Sequence, residues 1–136
     1  MNLDEYQIEG EKDVCIDQSK IDLVSINIPL LSSKWLRYLN KEKIKLKKYT
    51  QERDTIRRDR YSYYAGYGES YFKYALQKTE IKEYLNADED LQEIEMILEL
   101  QQVIVDYLKD VISILNVSGY KIKNFIDWRK FQAGGY

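Results

Sequence analysis

Histidine is missing altogether from the 136 residues, which removes the commonest general base and the commonest metal ligand together. Cys15 is the only cysteine, so the chain has no internal disulfide and no thiol pair for metal or redox work. A buried, small apolar thiol is its expected role, ahead of a reactive one. No apolar run approaches the roughly 20 residues that a membrane-spanning helix needs, and the acidic start is no secretory signal. Strand-like alternation never lasts more than a few residues, and internal repeats and low-complexity linkers are absent. Glycine is scarce, and Gly66-Tyr67-Gly68 is too short and isolated for a phosphate-binding loop. Glu89, Asp90 and Glu93 lack the histidine or second carboxylate helix that would make them a metal site. These absences lead to the expectation of a cytosolic, all-α, non-enzymatic protein with no cofactor and no metal.

What is present is a charge asymmetry hidden under a net charge of −2. Lys34 to Arg60 holds eleven Lys or Arg against four Asp or Glu, a local balance of +7, so the remainder carries −9. The patch matters more than the sum. Its end, Arg53-Asp54-Thr55-Ile56-Arg57-Arg58-Asp59-Arg60, passes straight into Tyr61-Ser62-Tyr63-Tyr64 and then the glycine turn. Guanidinium groups suit phosphates, and aromatic faces suit unstacked bases of any identity. The candidate single-strand-binding residues are therefore Arg57, Arg58, Arg60, Tyr63 and Tyr64, with Lys41, Lys45 and Lys48 upstream. On a helix, Arg53, Arg57 and Arg60 share a face while Arg58 lies about 200° from Arg60. The plainer reading is a solvated helix end whose tyrosines belong to the core.

Residues 1–16 carry few apolar anchors and fit either a short helix or a loose arm that partly docks, the arm being favoured. Asp17 and Ser19 are candidate N-caps for a first long helix that Pro29 should kink or split. The helix resumes at Ser33 and runs to about Tyr64, with Trp35, Leu39, Leu46, Tyr49 and Ile56 as its apolar seam. Residues 69–78 are an aromatic docked loop or short helix. Thr79 caps a short helix over Glu80 to Leu85. Asp88 caps a long one from Glu89 to about Val117, which Ser118-Gly119 ends. A last helix spans Lys121 to Gln132.

The seam Leu91, Ile94, Leu98, Gln101, Val105, Leu108, Ile112 and Leu115 alternates by three and four, and Leu100, Val103, Tyr107 and Ile114 make a further apolar face. A helix apolar on several sides buries several sides. Self-association is therefore expected, with Leu91, Ile94, Leu98, Val105, Leu108, Ile112 and Leu115 as its residues; the plainer reading is an ordinary central core helix. The chain reads as one helical domain over 1–136, with a DNA-binding part at 1–68 and an oligomerising part at 88–133.

Taken in order, these fragments give the chain a likeness: it resembles the UvsY-type recombination mediators of tailed bacteriophages. The matching fragments are Asp13-Val14, Ile16-Asp17, Ser33-Lys34-Trp35-Leu36, Arg58 with Arg60, Tyr63-Tyr64 with Gly66, and Gly68. Ala87-Asp88 with Asp90, Gly119 with Ile122-Lys123, and Phe131 with Ala133-Gly134 continue the match over nearly the whole length. The resemblance implies a homo-oligomeric ring that binds single-stranded DNA. It also implies loading of a RecA-like recombinase onto strands coated by the phage single-stranded-DNA-binding protein. Such action serves recombination, repair and replication in the cytoplasm of the infected bacterial host. It implies DNA binding by the basic pair corresponding to Arg58 and Arg60, and oligomer formation by the stretch from about Leu91 to Phe131. Two departures stand out: Asp59 sits between the arginines where a neutral residue is usual, and Tyr67 replaces an expected basic residue. The rival reading is a helical scaffold oligomer without nucleic-acid function.

Overall fold

The computed structural model describes residues 1–17, 19, 21–68 and 72–134, the side chains of 21–26 excepted. Among the described residues four helices follow one another: α1 (Leu3–Asp13), α2 (Ile21–Ala65), α3 (Lys78–Asn86) and α4 (Glu89–Gln132). Among the described residues there is no strand, and no helix is long and apolar enough to cross a membrane. The chain divides into two compact units, one of Met1–Glu42 with Ile104–Tyr136 and one of Lys43–Val103.

The first unit corrects the expectation of a loose arm at residues 1–16. Asn2 and Glu5 form a reciprocal capping box, which satisfies two backbone donors and starts α1 as a helix. Tyr6 is 1% exposed and Trp35 0%, and Tyr38 packs against both rings at 5.3 Å. The Tyr6 hydroxyl donates to Glu42 Oε1 at 2.9 Å, so the buried phenol and the buried carboxylate satisfy each other. Lys34 Nζ bridges Glu9 and Asp13, and Trp35 Nε1 also donates to Asp13 Oδ2. Burial opposes the Lys34 charge, but Asp13 and Glu9 outweigh it and hold its pKa above the ordinary value. At Gly10 the helices come so close that an added Cβ would collide with the Tyr107 hydroxyl. A few anchors and many polar bonds therefore dock what looked too polar to order.

Cys15, expected to be buried, is exposed instead, in the connection between α1 and α2. Ahead of α2, Asp17 Oδ1 accepts the Ser19 N–H at 3.0 Å and the Ser19 hydroxyl at 2.6 Å. Pro29 lies inside α2 without splitting it into two helices. The exposed ring costs one backbone hydrogen bond in a helix of 45 residues, and the neighbouring turns carry the rest. The inward stripe of α2 steps by four and three through Trp35, Leu39, Glu42, Leu46, Tyr49, Arg53, Ile56, Arg60 and Tyr63, all buried or half-buried. Its charged members Glu42, Arg53 and Arg60 each have a partner, as buried or half-buried charges require.

The expected stop at Ser118-Gly119 is also corrected, since α4 runs 44 residues without a break. Ser118 is buried and its Oγ–H donates back to the Ile114 carbonyl at 2.9 Å, so it stays within the helix. The buried seam continues through Ser118 to Ile122. That burial outweighs the roughly 1 kcal/mol helix cost of Gly119, and Gly119 has no positive φ. In the second unit α3 begins at Lys78 with Gln77 at its cap, earlier than the expected cap at Thr79 and without a side-chain cap bond. Tyr64, Ile81, Leu85, Leu91 and Ile94 form that unit's core, with Phe72 and Tyr63 packed against it.

Candidate nucleic-acid interface

The basic run ends where α2 ends, and the stop is built from the glycines. Gly66 adopts φ +84, its N–H bonds the Tyr63 carbonyl at 3.3 Å, and the Tyr67 N–H bonds the Ser62 carbonyl at 2.8 Å. This paired reversal closes the last turn, and only glycine takes that φ without strain. The chain then returns, and the Phe72 N–H bonds the Tyr63 carbonyl at 2.8 Å.

One turn back, Arg60 is drawn inward. Its Nε donates to Asp88 Oδ2 at 2.7 Å, and its guanidinium lies over Tyr63 at 4.4 Å and Tyr64 at 5.2 Å. The Tyr64 hydroxyl donates to the same Asp88 oxygen at 2.7 Å, while Asp88 Oδ1 accepts the Leu91 N–H at 3.0 Å and so caps α4. Burial works against the Asp88 charge, yet the bonds from Tyr64, Leu91 and Arg60 hold its carboxyl below its usual pKa. Burial, then the bond to Asp88, pushes the Tyr64 phenol up. The Arg60 guanidinium, bonded to Tyr64 and Asp88, is held more firmly charged than usual.

The helical twist then turns Arg58 the other way, about 200° from Arg60. Its side chain is 75% exposed and pairs with Asp59, at 3.3 Å. Such a surface pair is worth about 0–1 kcal/mol, so Asp59 gives way readily to a phosphate. Arg57 is exposed too. Of the upstream lysines, Lys48 is exposed and Lys45 half-buried in the second unit, while Lys41 is exposed in the first.

The expected pair of stacking tyrosines is placed differently. Tyr64 is 8% exposed and Tyr63 half-buried, and both pack edge-on against Phe72. The tyrosines with open faces nearby are Tyr61, Tyr67, Tyr74 and Tyr84. Sequence reasoning missed Asp88 as the partner of Arg60. Its capping role was legible, but no local signal links residues 28 apart. Arg60 also lines a groove of about 350 Å³ together with Glu52, Asp59, Asp90 and Glu93, and four carboxylates against one engaged guanidinium disfavour phosphate there.

The residues expected to assemble copies are largely used within the units. Leu91, Ile94, Val105, Leu108 and Leu115 are buried, and Leu98 and Ile112 half-buried. The apolar side chains of α4 left exposed are others, including Met96, Leu100 and Val103 in the second unit and Ile114, Val117, Trp128 and Phe131 in the first.

Comparison with known proteins agrees with this architecture. The family described as recombination, repair and single-stranded-DNA-binding protein UvsY matches residues 9–135. The recombination protein uvsY of Enterobacteria phage T4 is 29% identical over 136 residues, covering 98% of this chain and 99% of that one. A crystal structure of the bacteriophage T4 recombination mediator protein UvsY superposes with a TM-score of 0.92 at 28% identity, covering 98% of both chains. A second lattice form gives 0.89 at 27% identity, covering 96% of this chain and 99% of that one.

Proposed function

The chain belongs to the UvsY family of recombination, repair and single-stranded-DNA-binding proteins, and from that premise we propose that it is a phage recombination mediator without catalytic activity of its own. It holds single-stranded DNA and loads a RecA-like recombinase onto strands coated by single-stranded-DNA-binding protein, in the cytoplasm of the infected host. The observation that carries the reading is the pair Arg57 and Arg58, exposed beside a helix end rich in aromatic rings. Exposed guanidiniums contact phosphates without reading sequence, and the acidic groove beyond Arg60 keeps the strand to the other side. Lys45 and Lys48 add cations in the same unit, and Lys41 is a further candidate phosphate contact in the first.

Arg60 serves the same site by a different route. It fixes Tyr63 and the start of α4 through Asp88, and so holds the helix end that presents Arg57 and Arg58. Residues 1–68 supply DNA contacts and 88–133 assembly. Copies join into a homo-oligomeric ring through the apolar side chains that α4 leaves exposed, with Leu91, Ile94, Leu98, Val105, Leu108, Ile112 and Leu115 shaping the helix beneath. Weak contacts repeated around a ring give avidity that one protomer lacks, and a strand wrapped on the ring is strained away from its coat protein.

The test is salt-dependent binding of a labelled single-stranded oligonucleotide, followed by recombinase loading on a coated strand. Mediator function requires both to respond to the protein. Assembly without any salt-dependent binding would assign the chain to the scaffold class instead.

A further inference from the structure

Resting on the single-strand-binding reading, we propose that the cleft where the chain folds back onto the end of α2 is a nucleobase subsite. Tyr74 is its stacking face, and Lys73 contacts the adjoining phosphate. The cleft has a volume of about 380 Å³ and is lined by Tyr64, Gly66, Phe72, Lys73, Tyr74 and Leu76, among others. That volume lies in the range of roughly 300–1,000 Å³ typical of small-ligand clefts, enough for a base with its sugar.

The walls match that ligand. Tyr64 and Phe72 stand edge to face at 5.4 Å and anchor the inner side, held by the Phe72 N–H bond to Tyr63. Tyr74 leans on Phe72 at 5.7 Å between ring centres, yet stays 61% exposed. Its ring is thus propped by the core without being consumed by it. Lys73 Nζ lies over the Tyr74 ring, 5.8 Å from its centre, and its flexible stem lets a stacking base displace it from the ring toward the adjoining phosphate. At Gly66, no atom of the described residues lies within 4 Å of where a Cβ would stand.

Stacking on an exposed ring is available only to an unpaired base and is indifferent to its identity. The exposed Arg58 lies six residues before Tyr64, about 9 Å along the helix axis. A strand whose phosphates sit on the arginines therefore reaches the cleft within a short run of nucleotides. This moves the stacking role from the tyrosine pair at 63 and 64, which the core takes up, to the segment after the turn.

The experiment titrates the full-length protein with two labelled strands of equal length and phosphate charge, one of thymidine and one abasic. Wild type should prefer the thymidine strand. Tyr74→Leu should weaken thymidine-strand binding by about 5- to 150-fold and leave abasic binding and the salt slope unchanged. Tyr74→Phe, which keeps the ring, should behave as wild type. Because Tyr74 is exposed, circular dichroism and melting should be the same in all three. If Tyr74→Leu keeps the wild-type preference, or weakens both strands equally, the cleft is not a base site although single-strand binding stands. If wild type binds neither strand, the parent reading fails, and this one with it.

Discussion

At the residue scale, the two arginines Arg58 and Arg60 do different work although one residue separates them. Arg58→Ala removes an exposed cation, so the melting temperature should stay put while single-strand affinity falls. The salt slope should drop by roughly 0.7 for each phosphate that the variant no longer neutralises. Arg60→Ala instead leaves buried Asp88 with an unpaired charge, a cost of about 3 kcal/mol, so a thermal melt should shift down by several degrees. Equal melting temperatures for the two variants would contradict this division. Acid should reach the same cluster. The Asp88 carboxyl is held below its usual pKa, so its stabilising contribution is complete above the unfolded value of about 3.9. It is lost as pH falls through the lower folded value. Asp88→Asn should therefore melt lower at neutral pH and lose less stability than wild type on titration below about pH 4.

At the scale of elements, the long helices rest on their buried stripes rather than on propensity. Gly119 is exposed, lacks a positive φ, and has no atom of the described residues within 4 Å of an added Cβ. Gly119→Ala should stabilise the protein by about 0.4–1 kcal/mol in a denaturant melt. A loss of stability would mean that the helix ends there after all. Trp35 is the opposite case: fully buried, in ring contact with Tyr6 and Tyr38, and bonded to Asp13. Trp35→Ala should cost about 3–5 kcal/mol and release α1, which limited proteolysis within residues 1–16 would report.

At the scale of the whole molecule, the exposed apolar side chains of α4 are more than a solitary chain needs to leave in water. Ile114 and Val117 are both about half exposed, and neither contributes to the core of its unit. If copies assemble through this face as proposed, replacing both by lysine should lower the mass measured by light scattering without unfolding the helix in circular dichroism. Leu115→Lys, at a buried position, should unfold it. If the double lysine variant keeps the wild-type mass, the copies meet elsewhere.

The sequence by itself determined the helical class, the start of α4 at Asp88, the end of α2 at the glycine turn, and the passage from arginines to tyrosines. These are local matters, set by periodicity, caps and backbone freedom within one or two turns. Only the tertiary structure decided that Arg60 and Tyr64 turn inward to Asp88 while Arg58 turns out. It alone settled that α1 docks, that α4 runs through Gly119, and which apolar face of α4 is spent in the core. A helical repeat tells which residues share a face but not which face is covered. A polar side chain in that stripe is tolerable only if a distant residue completes its hydrogen bonds. The partner of Arg60 lies 28 residues away and that of Tyr6 36, separations over which no pattern along the chain carries the information.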